Sequence, residues 1–272
     1  MPHQKFFLLT LCLFLLPFIT SAQKSNLDSE TEVINYIFEE LPLEEKINEH
    51  PRELHEQFSQ NPFGLSPSKN DQMMDLFLQA FTADSLVYHT QEVFRENFDE
   101  NKAQSVTKRL KDESIQEVLE AEQEFYSLQG IRKRVVNRYE LEQNPPSDAR
   151  TKLINSLVAS MSAAETETES QLILFRAIVT AFGKLSDERT LSDSQIDNFV
   201  NNFRNRMQGQ VDQELTQQYL LKYHGLDNEV LQQYQSFYES EAGNWLNKNV
   251  SQGIQSAYQK ASDRFLESVQ NL

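Results

Sequence analysis

The sequence predicts an all-α fold, and three observations lead to this prediction. Only seven Gly and eight Pro occur in 272 residues, whereas the abundant Gln, Glu, Leu and Ala favour helices over strands. Apolar residues recur at helical spacing along most of the chain. Residues typical of helix caps separate these apolar stripes. The length allows one or two domains.

In the first half, helix signals follow one another closely. Ser29 and Glu32 form a capping-box pattern that begins a helix, and Pro42 ends this helix. A short helix is expected over residues 43–49. Another is expected to begin near Pro51, because proline suits the first turn of a helix.

The centre of the chain contains the clearest breaks. Residues 61–67, NPFGLSP, predict a loop. Asp99 and Asp112 stand where N-caps belong, and a long helix is expected from Asp112 to position 139, with a kink at Gly130. The proline pair at 145–146 ends this helix. We take that pair as the boundary between two halves.

The second half shows the same order of caps and stripes. An apolar helix over residues 172–182 is expected to close at Gly183. Gly225 is expected to end a later helix, and Asp227 to cap the next one. Ser240 then begins a long final helix whose apolar stripe continues almost to the C-terminus.

The two halves resemble each other, which indicates an internal duplication. An offset of 128 places Asp99 on Asp227 and Asp112 on Ser240, with the same order of cap and stripe. We therefore predict two related helical bundles. The predicted bundles are a degenerate copy over residues 23–144 and a second copy over residues 147–272.

The C-terminal half also resembles a bacterial exported family, domain of unknown function 2059. The residues that carry the resemblance are Asp227, Asn228, Glu229, Leu231, Tyr234, Phe237, Tyr238, Ser240, Gly243, Trp245 and Leu246. The chain has Glu241 where the family usually has Pro. The resemblance implies an all-helical fold, and it brings no established activity and no catalytic residues. From the residues themselves, Asp227, Ser240 and Gly243 read as a structural motif, in which Ser240 caps a helix and Gly243 permits close packing. The first copy has Ile115 in place of this glycine.

The N-terminus has the three-part layout of a secretory signal. Lys5 precedes an apolar run over residues 6–19, and small residues at 20–22 follow it. We predict a signal peptide over residues 1–22 and a periplasmic protein in a Gram-negative bacterium. Cleavage would remove Cys12, the only cysteine, so thiol chemistry would be absent from the mature chain. No membrane span is expected after cleavage.

The net charge of −16 argues against nucleic-acid binding, because an acidic surface repels phosphates. Catalytic motifs are absent from the sequence. His50 and His55 are five residues apart, a spacing that does not put two ligands on one helix face, so we read them as solvated surface. We expect no catalytic residues, no metal and no cofactor.

Two groups of residues are candidates for binding. The first is an aromatic stripe that could line a groove between helices: Tyr234, Phe237, Tyr238 and Trp245. The second is a basic cluster in an otherwise acidic chain, which could dock an acidic partner: Arg132, Lys133, Arg134 and Arg138. Core packing and intramolecular ion pairing are the alternatives for these two groups.

The function predicted from these features is non-catalytic: a helical interaction or chaperone-like module with a periplasmic protein partner. Two alternatives stay open. One is a carrier of a small apolar ligand, which a cavity lined by the aromatic stripe would support. The other is a carboxylate-based hydrolase, which acidic side chains converging in a concave site with shifted pKa values would support.

Overall fold

The computed structural model of the protein describes residues 29–186, 191–207 and 210–272. The predicted signal peptide, including Cys12, lies outside these ranges. The described residues form helices without a strand, so the all-α prediction is confirmed. None of the described helices is both long and apolar enough to cross a membrane. The helices are α1 (Glu30–Glu40), α2 (Leu43–Ser59), α3 (Pro67–Ala80), α4 (Ala83–Glu96), α5 (Glu100–Arg109), α6 (Glu113–Tyr126), α7 (Leu128–Gln143), α8 (Asp148–Ser160), α9 (Ala163–Leu185), α10 (Asp193–Met207), α11 (Val211–Lys222), α12 (Asn228–Glu239) and α13 (Glu241–Gln270).

Side-chain hydrogen bonds confirm the predicted helix starts at Ser29, Asp99 and Ser240, whereas Asp112 and Asp227 occupy N-cap positions without a side-chain cap bond. The Ser29 side chain accepts from the Glu32 backbone N–H, and the Ser29 backbone N–H donates to the Glu32 carboxylate, both at 3.2 Å. The Asp99 carboxylate accepts from the Lys102 N–H at 3.1 Å. Each bond satisfies a backbone group that a helix end would otherwise leave without a partner.

Two predicted helices around Pro51 are one helix, so the prediction of a break there was wrong. Pro51 lies inside α2 and has no N–H to give to the carbonyl of Ile47, four residues earlier. The Tyr258 hydroxyl, on α13, donates to that carbonyl at 2.6 Å. A bond between distant helices thus replaces the one that proline removes, and α2 continues to Ser59.

The long helix predicted from Asp112 is in fact two helices, α6 and α7, separated at Ser127. The Ser127 Oγ accepts from the Gly130 N–H at 3.0 Å and donates to the Glu124 carbonyl at 2.7 Å. A Cβ at position 130 would lie 1.8 Å from the Glu124 carbonyl oxygen. Gly130 is therefore required for a sharp corner, where we had expected only a kink.

The junction between α12 and α13 has the same construction. The Ser240 Oγ accepts from the Gly243 N–H at 3.1 Å and donates to the Phe237 carbonyl at 2.6 Å. Ser127 and Ser240 have the same backbone angles, φ −75° and ψ 161°. A Cβ at position 243 would lie 2.0 Å from the Phe237 carbonyl oxygen. The close contact at Gly243 is therefore with the end of the preceding helix.

Helix α13 is the central helix of the described structure. It packs against α3, α4 and α5 from the first half and against α9 and α12 from the second. One hydrophobic core contains buried side chains from both halves, such as Phe94 from the first half and Ile254 and Phe265 from the second. The division into bundles over residues 23–144 and 147–272 stays a prediction.

The helices before and after α7 form two corresponding series. Helices α4, α5 and α6 begin at residues 83, 100 and 113, and α11, α12 and α13 begin at 211, 228 and 241, each 128 residues later. Helix α1 packs against α4 and α5, and α8 packs against α11 and α12. The last helix of each series crosses to the other series, because α6 packs against α12 and α13 packs against α5.

Candidate functional site

The aromatic stripe of the predicted groove lies in the hydrophobic core. Tyr234, Phe237, Tyr238 and Trp245 are all buried. The Trp245 indole N–H donates to the Asn97 carbonyl at 3.0 Å. Of these four residues, only Tyr238 lines a described cavity. In this conformation the stripe is core packing, because neighbouring helices cover the rings.

The exposed apolar surface is concentrated on α7. Nine large apolar residues are exposed among the described residues, and five of them are on this helix. They are Leu128, Ile131, Val135, Val136 and Tyr139. Leu128 is 84% exposed, Val135 69% and Tyr139 63%. At 100° per residue, Leu128, Ile131, Val135 and Tyr139 form one stripe along the helix. We call this stripe, with Val136 beside it, the outer face of α7.

The four predicted docking residues divide into two pairs. Lys133 forms an ion pair with Glu124 at 2.6 Å, and the Arg134 guanidinium lies 4.5 Å from the centre of the Phe125 ring. Those two side chains are turned toward α6. Arg132 and Arg138 are exposed, and neither forms an ion pair within the described residues. By helical spacing, Arg132 and Arg138 lie on opposite sides of the apolar stripe.

A cavity of about 340 Å³ lies between the two series of helices. Its walls come from α2, α6, α9, α11, α12 and α13. The residues on which its chemistry depends are Glu49, His50, Glu122, Tyr126, Glu167, Tyr219 and Lys222. The walls mix charged groups of both signs with aromatic rings, so the cavity suits a polar ligand better than an apolar one.

One wall contains a partly buried ion pair between α2 and α9. The His50 Nε2 lies 2.9 Å from a carboxylate oxygen of Glu167, and the His50 Nδ1 lies 3.8 Å from Glu53. Burial opposes protonation of His50, but the hydrogen bonds to Glu167 and Glu53 outweigh it and raise the His50 pKa to about 10. Burial alone would raise the pKa of Glu167, but the hydrogen bond from His50 lowers it overall. Both side chains are therefore charged at neutral pH.

The opposite wall contains a buried carboxylate with hydroxyl partners. Glu122 accepts from the Tyr223 hydroxyl, and from the Tyr234 hydroxyl at 3.4 Å. Burial, followed by the charge of Glu122, raises the pKa of Tyr223 and of Tyr234 well above the usual value. Both tyrosines therefore stay protonated and act as donors. This network links α6 to α11 and α12.

Besides Lys46 and the exposed Glu214, Glu49 and Lys222 line the cavity without a hydrogen-bonded partner in the described chain. The Lys222 ammonium lies 4.8 to 5.5 Å from the ring centres of Tyr219, Phe125 and Tyr126. Burial lowers the pKa of Lys222 and raises the pKa of Glu49. Within the described chain, neither group forms a hydrogen bond or an ion pair with another side chain. Glu49 and Lys222 therefore combine partial burial with the lack of a hydrogen-bonded partner in the described chain.

The cavity can be compared with the two alternative functions, a carboxylate-based hydrolase and a carrier of a small apolar ligand. Five glutamates converge here, as a hydrolase would require. However, Glu167 is engaged by His50, Glu122 is engaged by two tyrosines, and Glu53 and Glu214 are exposed. Only Glu49 is both partly buried and without a hydrogen-bonded partner in the described chain, whereas glycoside hydrolysis uses a pair of carboxylates. A carrier of apolar ligands is not favoured either, because the aromatic stripe fills the core instead of lining the cavity.

Sequence reasoning missed the cavity and read His50 as solvated surface, which was wrong. His50 is partly buried, with 15% of its side chain exposed, and its partner Glu167 is 117 residues away in the chain. No local pattern could reveal this pair. Among the described residues, there is no group of three or more His, Cys, Asp or Glu placed to hold a metal ion.

Comparison with known proteins does not assign a function to the outer face of α7 or to the cavity. No protein-family model, no curated protein and no solved structure matches the chain. The outer face of α7 and the cavity are the two features of the described structure that indicate a function.

Proposed function

We propose that the protein is a non-catalytic interaction module that binds an acidic, amphipathic helix of a partner protein through the outer face of α7. The observation behind this proposal is the exposed stripe of Leu128, Ile131, Val135 and Tyr139 on a helix whose only buried residue is Gly130. Apolar patches of this kind mark interaction sites on globular proteins. A helix is the element that best fits such a stripe, by packing its own apolar face against it.

The positive charge of α7 indicates which kind of partner would bind there. Helix α7 contains Arg132, Lys133, Arg134 and Arg138 against Glu140 and Glu142, a net charge of +2 in a chain of −16. A second copy of α7 would bring another +2 to the contact and would be repelled. An anionic lipid surface extends beyond α7 and would be repelled by the acidic remainder of the chain, whereas a single helix would contact α7 alone. An acidic helix would place carboxylates beside Arg132 and Arg138, the two basic residues of α7 that form no ion pair with the described part of the chain.

A photo-crosslinking amino acid at Val135 tests this proposal in the cells that produce the protein. The matched control is the same amino acid at Phe199, which is also exposed but lies on α10. We expect one partner protein to crosslink at 135 and not at 199, through an acidic helical segment. The purified partner should bind the native chain, and Val135→Asp should weaken binding at least about tenfold. A crosslink to a second copy, a crosslink to lipid, or equal products at both positions would overturn the proposal.

We also infer that the chain arose by internal duplication and is exported. The common 128-residue offset of three helix starts supports duplication, as do the corresponding contacts of α1 and α8. Asp99 and Asp227 are N-cap residues of α5 and α12, and Asp112 and Ser240 are those of α6 and α13.

The proposal that the protein is exported depends on the signal-like layout of residues 1–22. N-terminal sequencing of the protein recovered from a periplasmic extract tests it, with Gln23 as the expected first residue. The resemblance to domain of unknown function 2059 stays a prediction.

A further inference from the structure

We infer that the cavity between the two series of helices binds a small zwitterion with one amine and one carboxylate, such as a free amino acid or a short peptide. The inference depends on how the charged groups in the cavity wall are partnered. It is independent of the outer face of α7, which belongs to a different surface.

Two groups of charges in the cavity wall differ in how they are partnered. His50 and Glu167 are paired at 2.9 Å, and Glu122 accepts from two tyrosine hydroxyls. These groups have their partners within the fold and hold helices together. Glu49 and Lys222 line the same cavity and have opposite charges, but neither has a hydrogen-bonded partner in the described chain.

Burying the charges of Glu49 and Lys222 without hydrogen-bonded partners raises the free energy of the folded protein. Burial disfavours the charged form of each group, as the raised pKa of Glu49 and the lowered pKa of Lys222 indicate. The rings around Lys222 stabilise its ammonium only in part, since a ring face offers less than a carboxylate does. A ligand that supplies a carboxylate to Lys222 and an ammonium to Glu49 removes both costs at once.

The composition of the wall excludes simpler ions. Five glutamates line the cavity against two lysines and His50, so an anion alone would meet a net negative wall. A cation alone would supply no acceptor to the Lys222 ammonium, which has no hydrogen-bonded partner in the described chain. A zwitterion satisfies both groups and adds no net charge. The volume of about 340 Å³ lies within the range of small-molecule sites. Tyr126 and Tyr219 provide ring surface for the body of the ligand.

The test is a ligand-observed NMR screen of the full chain against the twenty free amino acids and glycylglycine. We expect at least one of these probes to bind. Its N-acetyl derivative, which lacks the ammonium, and its amide, which lacks the carboxylate, should each bind at least about tenfold more weakly, because each loses a charge-assisted hydrogen bond. The inference is overturned if no probe binds, or if either derivative binds as well as its parent.

Variants then locate the site. Lys222→Met and Glu49→Gln should each weaken binding at least about tenfold, whereas Lys222→Arg, which keeps the charge, should lose less. Lys248→Met, at an exposed position outside the cavity wall, should change nothing. Circular dichroism of each variant identifies any loss of fold, and Glu49→Gln serves if Lys222→Met does not fold. Native affinity in Glu49→Gln would overturn the inference. Val135→Asp should leave probe binding unchanged, which separates this site from the outer face of α7.

Discussion

Helices α7 and α13 begin in the same way and are used differently. Each follows a corner built from a serine cap and a glycine three residues later, at Ser127 and Gly130 or at Ser240 and Gly243. Helix α13 then passes through the middle of the molecule, and its apolar stripe is covered on several sides. Helix α7 packs only against α6 and α11 in the major helix contacts and presents its stripe to solvent. The same local signal can therefore begin a core helix or a surface helix.

The largest expected difference between the two helices concerns a charge placed on each stripe. Ile254 of α13 is 3% exposed and Val135 of α7 is 69% exposed. Ile254→Asp should lower the free energy of unfolding by about 4 kcal/mol or more, because it buries an unpaired carboxylate. Val135→Asp should change it by less than about 0.5 kcal/mol. Urea denaturation of both variants measures the difference. Equal losses would mean that the outer face of α7 is packed.

The glycines at the two corners allow a second comparison between the core helix α13 and the surface helix α7. An added Cβ would lie 2.0 Å from a backbone carbonyl oxygen at Gly243 and 1.8 Å from one at Gly130. Gly243→Ala should cost about 3 kcal/mol, because the clash displaces a core helix. Gly130→Ala should cost about 1 kcal/mol, because a loosely packed α7 can shift to relieve the same clash. Thermal denaturation of the two variants decides between this account and one in which both corners are equally rigid.

The third prediction concerns the bond by which α13 supports α2. Tyr258→Phe leaves the Ile47 carbonyl buried without a donor and should cost about 2 kcal/mol. In the background of Pro51→Ala, the restored N–H can reach that carbonyl, so Tyr258→Phe should then cost less than about 1 kcal/mol. A double-mutant cycle by urea denaturation measures the coupling. A cost independent of residue 51 would contradict this explanation of the uninterrupted α2.

The fourth prediction concerns an effect that depends on pH. The folded pKa of His50, about 10, exceeds its ordinary value of 6.5. The stability that protonated His50 contributes is therefore complete below about pH 6.5 and is lost as the pH rises toward 10. His50→Gln should cost about 2 kcal/mol at pH 6 and much less near pH 10. Lys133→Gln, which removes an exposed ion pair on α7, should cost less than about 1 kcal/mol at both values. A cost of His50→Gln that does not change between pH 6 and pH 10 would contradict the conclusion that protonated His50 stabilises the fold.

Local signals in the sequence predicted the fold class and most helix ends. Ser29, Asp99 and Ser240 act through backbone groups three residues away, so a single sequence contains the whole pattern. The corner at Ser127 was missed, although it has the same S-x-x-G spacing as Ser240, because the apolar spacing continues across it. The continuous α2 could not be predicted, since it depends on Tyr258, which is 211 residues from Ile47.

The candidate sites were predicted less well, for a related reason. Apolar stripes at helical spacing occur at Tyr234 and at Val135, and periodicity does not say which one a neighbouring helix covers. The basic cluster can be read from the sequence, and its role in docking stays a prediction. Which of its members have partners depended on Glu124 and Phe125, across the corner at Ser127. The cavity depends on contacts between the two series of helices, and no local pattern encodes these contacts.

The proposed role of α7 is tested most directly by thiol labelling at Val135→Cys in a chain that also contains Cys12→Ser. Phe199→Cys, exposed on α10, is the matched control. In the purified chain both thiols should react quickly with a maleimide. In the cells that produce the protein, the partner should slow labelling at 135 at least about tenfold and leave 199 unchanged. Equally fast labelling at 135 in cells and in the purified chain would contradict the account, as would slow labelling at 135 in the purified chain.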